Sequence, residues 1–240
     1  MASHHDYAGQ DLEALADIPN YQDWILGHFR AHLRGRVLEV GAGVGTLSAR
    51  YRDAARSLVL LEPASNLIDA LAARFGDDPG VVVLGKPLGD AIAAGELSDR
   101  SFDAIVLVNV LEHVDDDVGM LHALHRLLVP GGALLLFVPA LPWIFGSLDT
   151  LVGHRRRYVK AELRARVEAA GFAIDELRYF DALGVLPWYV TGRVLKARAF
   201  SERAARMYDT VGVPVGAWVE HRVAPPLGKN LLCIAHRSRA

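Results

Sequence analysis

Val37-Leu38-Glu39-Val40-Gly41-Ala42-Gly43-Val44-Gly45-Thr46-Leu47-Ser48 is the stretch whose reading decides the fold. Residues 37–40 form a short apolar, β-branched run, the pattern of a strand buried on both faces. Three glycines follow at alternate positions. Lacking Cβ, they let the backbone turn sharply and approach a ligand closely. A helix starting near Thr46 would aim its free N–H groups and the positive end of its dipole at that ligand.

Two acids sharpen this reading. Glu39 stands two positions before Gly41, at the strand end, placed to receive a ligand's ammonium group. Residues 58–61 read as a second buried strand running into Glu62, 21 residues after Gly41. At that spacing a second-strand acid meets ribose hydroxyls in nucleotide-binding α/β folds. The alternative is a tight turn flanked by solvated acids. The turn is Gly-x-Gly-x-Gly, not the Gly-x-Gly-x-x-Gly of dinucleotide binding, which argues against a nicotinamide-dependent dehydrogenase.

Working outward, further strands are expected at 81–84, 102–108, 133–138, 172–179 and 230–236. Helical spacing appears at 10–33, broken near Pro19 with Asn20 as a cap, and at 67–75, 118–129 and 160–170. The β-α-β-α order with a late pair of strands predicts an α/β, doubly wound, largely parallel sheet with helices on both faces. The connections 139–159 and 181–228 are too long to be plain loops and read as lid and substrate segments. One domain over 1–240 is expected, with residues 1–33 as a helical cover and 34–180 plus 229–240 as the core.

Composition agrees with this. The chain has 240 residues, 52% of them apolar, enough for a sizeable core. Its 26 basic and 28 acidic residues leave a formal charge of −2, so no global positive field gathers nucleic acid. The single cysteine, Cys233, sits in an apolar run and reads as a small buried hydrophobe in a reducing cytoplasm. Residues 1–9 are polar, unlike a signal peptide. No apolar run reaches the roughly 18 residues of a membrane span; the nearest, 133–145, is interrupted by Pro139 and Pro142. The late apolar stretch around Trp188 and Leu195, mixed with Arg193, Lys196 and Arg198, reads as lid packing or a homodimer face. A membrane-surface helix facing a lipid-linked substrate is the alternative.

Ligands of open α/β sheets bind beyond the carboxyl ends of the strands. That gathers the glycine turn, Glu62, the loop after the third strand with Asp90, residues 109–113 with Asn109 and His113, and residues 139–154 around one cleft. Within 145–158, His154 has the pKa range of a general base near neutrality, and Asp149 could fix its tautomer. The same two side chains are candidate ligands for a divalent metal such as Mg²⁺, although two are few. A structural hydrogen bond is the plain alternative for His154. Arg155, Arg156 and Arg157 could clamp an anionic or polyhydroxy substrate, or simply pair with acids. Asp115, Asp116 and Asp117 read as a helix start. Tyr21 and Trp24 either pack the first helix or also cover a ligand.

The glycine turn with its two acids resembles the first motif of class I S-adenosylmethionine-dependent methyltransferases. Asn109-Val110-Leu111-Glu112-His113, Leu128-x-Pro130-Gly131-Gly132 and Gly171-Phe172 extend the resemblance. It implies a Rossmann-like sheet of seven strands, the last antiparallel. It also implies S-adenosylmethionine held by Glu39, Gly41, Gly43, Gly45, Glu62, Pro63, Asp90, Asn109 and His113. Tyr21-x-x-Trp24, Gly146-Ser147-Leu148-Asp149, Gly153-His154-x-Arg156-Arg157-Tyr158 and Pro226-x-Gly228-Lys229-Asn230-Leu231 resemble a bacterial subgroup often associated with glycan biosynthesis. The sequence departs from that subgroup at Arg155, where a tyrosine is usual, and at Lys86. The subgroup implies a saccharide or polysaccharide precursor as acceptor, such as a mannoside, held by Tyr21, Trp24, Arg156, Arg157 and Tyr158. The expected reaction is methyl transfer to a hydroxyl. The rivals are N-methylation of a small amine and a non-catalytic cofactor-binding module.

Overall fold

The computed structural model describes residues 18–239. Seven strands form one sheet: β1 (Arg36–Val40), β2 (Ser57–Leu61), β3 (Val81–Leu84), β4 (Phe102–Val108), β5 (Leu128–Pro139), β6 (Phe172–Phe180) and β7 (Asn230–Arg237). Their order is β3-β2-β1-β4-β5-β7-β6. The first five pair in parallel, and β7 runs antiparallel to both neighbours, β5 and β6. The Rossmann-like, seven-stranded arrangement expected from the sequence is therefore present.

Alternation along the strands builds two cores. Leu38, Val40, Val59, Leu61, Ile105 and Leu107 face one side, under α5 (Asp117–Leu127) and α7 (Lys160–Ala169). Val37, Leu58, Leu60, Ala104 and Val106 face the other, under α1 (Pro19–Phe29), α2 (Thr46–Tyr51) and α3 (Ser65–Phe75). Burying both faces is what makes these strands continuous apolar runs rather than alternating ones. Cys233 is fully buried in the first core.

Some boundaries differ from expectation. In α1, Pro19 takes the first helical position and Ile18 the cap, because proline's fixed φ suits that position. Asn20 is no cap; its amide nitrogen bonds Asp209 instead. The part of the expected first helix before Ile18 lies outside the described residues. Strand β5 begins at Leu128 rather than Ala133. Phe102 pairs with Leu128 and Ala104 with Ala133, so Val129 to Gly132 bulge out of the ladder. Gly131, at φ 80°, makes that bend without strain. A short helix, α4 (Leu88–Ala93), follows β3 where the sequence suggested a loop.

Between β5 and α7 lies α6 (Ser147–Leu151). Between β6 and β7 lie α8 (Val185–Tyr189), α9 (Glu202–Met207) and α10 (Val213–Glu220), with π-helical turns at Val190–Val194 and Tyr208–Gly212. Among the described residues no helix is long and apolar enough to cross a membrane.

Candidate active site

The carboxyl ends of β1, β2, β4 and β5 open into a cavity of about 1020 Å³. That is the top of the range for small-molecule sites, with room for a cofactor and an acceptor side by side. The 139–159 and 181–228 segments supply its far wall through Leu148, Val152, His154, Arg157, Trp188 and Tyr208.

The glycine turn is pinned to the end of β2. The N–H groups of Gly41 and Ala42 both donate to the Leu61 carbonyl, at 2.7 and 3.1 Å. Gly41 has φ 74°, and a Cβ there would come within 2.5 Å of Val110 Cγ2 in the loop after β4. Gly45 differs from the other two: it caps α2 at φ 75° and faces Phe75 and Leu71, not the cavity. Its glycine requirement is packing.

Glu39 is buried on the cavity wall. Its Oε2 accepts from Ser48 Oγ at 2.5 Å and Tyr51 OH at 2.6 Å. Burial pushes its pKa up to about 7, against the pull of those two hydroxyls. Glu62 accepts the Gly43 N–H on Oε2 and the Ala64 N–H on Oε1, each at 2.8 Å. Burial raises its pKa, and the two N–H groups oppose that. Each Glu62 oxygen keeps a second lone pair for a ligand, and in Glu39 it is Oε1 that stays available. Pro63 and Asn109 line the same wall, Asn109 in the left-handed region at φ 54°.

Asp90 does not fit its expected role. It is exposed on the first turn of α4, while Pro87, Leu88, Gly89 and Ile92 line the cavity there. Lys86 pairs with Glu96 at 3.0 Å, away from the wall.

At the opposite end stands a polar cluster. His154 Nδ1 lies 2.9 Å from Asp149 Oδ1, and its Nε2 lies 3.5 Å from Glu112 Oε1. His113 Nδ1 lies 3.1 Å from the Gly153 carbonyl. Asp149 is fully buried behind His154 and off the cavity wall. Besides His154 it accepts from Arg157 Nε at 2.7 Å, Gly146 N at 2.9 Å and Trp188 Nε1 at 3.2 Å. Burial pushes the Asp149 pKa up, but the His154 bond, the Arg157 charge and the Gly146 N–H outweigh it and leave it below its ordinary value. Glu112 is fully buried, and neither of its oxygens has a hydrogen-bond partner. Burial pushes its pKa up to about 7, and the neighbouring His154 and Arg157 act in the opposite direction. Burial, then the neighbouring His154, take the His113 pKa down to about 4, so this ring is neutral near pH 7.

The expected clamp of basic residues is spent elsewhere. Arg155 pairs with Asp115, and Arg156 pairs with buried Asp117 at 3.0 Å. Arg157 is buried and also donates to the Ala140 carbonyl at 2.8 Å, though its edge reaches the cavity. Tyr158 is fully buried; its hydroxyl donates to Asp117 at 2.9 Å, and it has no place on the wall. Trp24 stacks on Phe180 with centroids 4.0 Å apart and is off the wall, whereas Tyr21 lines it. Asp116 caps α5 by accepting the Gly119 N–H at 2.8 Å, as a helix-start acid should.

Two groups emerge that sequence reasoning did not single out. Glu112 was legible only as the acid beside His113. The second is Lys229, whose Nζ lies 2.8 Å from buried Asp181 and 4.8, 5.5 and 5.8 Å from the ring centres of Tyr21, Trp188 and Tyr208. Asp181 also accepts from the hydroxyls of Tyr21 and Tyr208. This cage ties α1, β7 and the 181–228 segment together at the cavity wall.

The family model described as "Methyltransferase domain" matches residues 14–177. The chain is 30% identical over 151 residues to a probable S-adenosylmethionine-dependent methyltransferase of Mycolicibacterium smegmatis, covering 62% of this chain and 54% of that one. It thus spans about half the length of that relative. It is also 30% identical over 175 residues to a ubiquinone biosynthesis O-methyltransferase of Azotobacter vinelandii, covering 65% of this chain and 71% of that protein. The solved structure of an S-adenosylmethionine-dependent methyltransferase from Archaeoglobus fulgidus superposes with a TM-score of 0.62 at 14% identity, over 95% of this chain and 97% of that one. At that identity the likeness shows the fold alone. Two acids at neighbouring strand ends, a glycine turn between them and the matched family model agree: this chain belongs to the methyltransferase domain family, and it is an S-adenosylmethionine-dependent methyltransferase.

Proposed function

We propose that the chain transfers the methyl group of S-adenosylmethionine to a hydroxyl oxygen of its small-molecule acceptor. The observation that carries this reading is the Asp149–His154 contact. Asp149 holds Nδ1–H, which leaves Nε2, on a ring that lines the cavity, as the nitrogen to take a hydroxyl proton when the oxygen attacks. An amine acceptor needs no such base. That several relatives are named O-methyltransferases supports oxygen as the methylated atom.

Methyl transfer from a sulfonium is an in-line displacement, so the site mainly aligns the partners and excludes water. Glu39 meets the cofactor's ammonium, Glu62 its ribose, and the Gly41–Gly43 backbone leaves room beneath it. The 139–159 and 181–228 segments act as the lid over the acceptor. A saccharide precursor, such as a mannoside, remains the acceptor class implied by the sequence resemblance. Its support here is that Tyr21, Trp188 and Tyr208 line the cavity, whereas Arg156 and Tyr158 are committed to Asp117. Exposed apolar residues of the 181–228 segment, Leu186, Leu195 and Trp218 among them, support a homodimer face.

The test is labelled-methyl transfer to hydroxyl and amine acceptors, saccharides included, together with cofactor calorimetry. Glu62→Ala should weaken cofactor binding. His154→Ala should keep that binding and slow turnover about 100-fold or more. Normal turnover by His154→Ala would remove the assignment.

A further inference from the structure

We infer that Glu112, His113 and His154 form a binding site for one divalent transition-metal ion at the acceptor end of the cavity. This rests on the reading of that end as the place where the acceptor oxygen is held.

One ligand atom from each of the three residues lies within 4.8 Å of the others. Bonds of about 2.1 Å set ligand atoms about 3.0 to 4.2 Å apart around an ion, so a small contraction seats one.

The hydrogen bonds fix which atoms face inward. A carbonyl only accepts, so His113 Nδ1 carries the proton that it gives to Gly153, 3.1 Å away. An ionised carboxylate only accepts, so His154 Nδ1 donates to Asp149, 2.9 Å away. With Nδ1 protonated and Nε2 free of its proton, each ring presents an Nε2 lone pair, and a metal ion would displace any proton held there. His154 Nε2 lies 3.5 Å from Glu112 Oε1, one ring nitrogen of His113 is within 4.8 Å of both, and the Glu112 carboxylate is fully buried with neither oxygen hydrogen-bonded. Three potential electron-pair donors are thus gathered at one place. A buried carboxylate in that state is costly unless a cation answers it.

The surroundings are those of a metal site. Ligating histidines commonly give their second N–H to a carboxylate or carbonyl, which Asp149 and Gly153 supply here. Of the two sequence candidates for a ligand, Asp149 and His154, Asp149 is already occupied by His154, Arg157, Gly146 and Trp188. It orients a ligand instead. Two imidazoles and one carboxylate favour Mn²⁺, Fe²⁺, Co²⁺ or Zn²⁺ over Mg²⁺ or Ca²⁺, which prefer all-oxygen sets. With an ion bound, His154 Nε2 would serve as a ligand rather than as a free base, and the ion's remaining positions, where an acceptor hydroxyl could coordinate, would lower the hydroxyl's pKa in its place.

The experiment uses the full chain, stripped with chelator and dialysed. Mn²⁺ binding is followed by loss of the free-ion electron paramagnetic resonance signal, and Co²⁺ binding by its visible spectrum. One ion per chain is expected, with an imidazole-bearing Co²⁺ spectrum. Glu112→Gln and His113→Asn should each weaken Mn²⁺ binding roughly tenfold or more. Circular dichroism melts of both variants confirm that they fold. Failure of Mn²⁺ and Co²⁺ to bind the folded wild-type chain at millimolar concentration would overturn the inference, as would equal affinity in the folded variants. Methyl transfer that needs His154 in a chain that binds no metal would leave the O-methyltransferase reading standing and sink this one. Metal binding without transfer to any acceptor would do the reverse.

Discussion

Asp149 Oδ1 lies 2.9 Å from His154 Nδ1, so one buried carboxylate decides which nitrogen of His154 keeps its proton. The same oxygen lies 2.7 Å from Arg157 Nε, which ties orientation of the histidine to a buried ion pair.

Asp149→Asn keeps the shape but removes the charge and turns an acceptor into a partial donor. His154 then loses the partner that fixes its tautomer, and Arg157 is left as an unanswered buried cation. Breaking a buried pair by removing one partner costs about 3–5 kcal/mol. Thermal denaturation should therefore show a marked drop in melting temperature. Turnover should fall about 100-fold or more in the fraction that remains folded. A variant that melts and turns over like the wild type would mean that Asp149 does not orient His154.

Gly41 and Gly45 share a positive φ but should fail differently when each becomes alanine. Both substitutions meet about 1–2 kcal/mol of backbone strain. The Gly41 Cβ would come within 2.5 Å of Val110 Cγ2, beside the cavity; the Gly45 Cβ would strike Phe75 and Leu71 in the core. Gly41→Ala should weaken cofactor binding by calorimetry beyond what its lost stability explains. Gly45→Ala should lower the melting temperature with a smaller effect on affinity in the folded state. Equal affinity losses would erase the distinction drawn between the two glycines.

Much of this was legible in the chain because it is local. The glycine turn, the acid before it and the acid ending β2 are read from spacing, and buried parallel strands announce themselves as apolar runs. The antiparallel last strand came from resemblance, not periodicity. What escaped was set by contacts distant in sequence. Arg156 reads as a clamp until Asp117 folds against it, 39 residues away. Tyr158, by resemblance an acceptor contact, has its hydroxyl buried on Asp117 instead. Asp90 reads as a loop acid, but Leu88 to Ala93 close into a helix and turn it outward. Glu112 carries no local signal for having its oxygens unpartnered, since that depends on His113 and His154 arriving from two different segments.

Lys229 offers a test of what holds the 181–228 segment down. Its ammonium answers buried Asp181 at 2.8 Å and sits among three aromatic rings. Lys229→Met keeps the length and the apolar stem but leaves Asp181 without its cation, at a cost of about 3 kcal/mol. Local opening should rise accordingly. Limited proteolysis ought to cut within 181–228 at least tenfold faster than in the wild type, and hydrogen exchange there should quicken. Unchanged protection of that segment would show that apolar packing alone closes it.

Glu39 should couple cofactor binding to pH. Its pKa of about 7 in the folded chain lies above that of an unfolded carboxylate. Between the two values the folded chain holds the extra proton, so this group's contribution to stability falls as pH rises through that window. The melting temperature of the wild type should decline relative to Glu39→Gln between about pH 5 and pH 8. A cationic cofactor favours the ionised form, so binding below pH 7 must expel the proton. Cofactor affinity should therefore rise with pH up to about 7 and then level. Calorimetry in buffers of different ionisation enthalpy would count the released proton, and Glu39→Gln should release none. Affinity that ignores pH in the wild type, with no proton released, would place the ammonium of the cofactor away from Glu39.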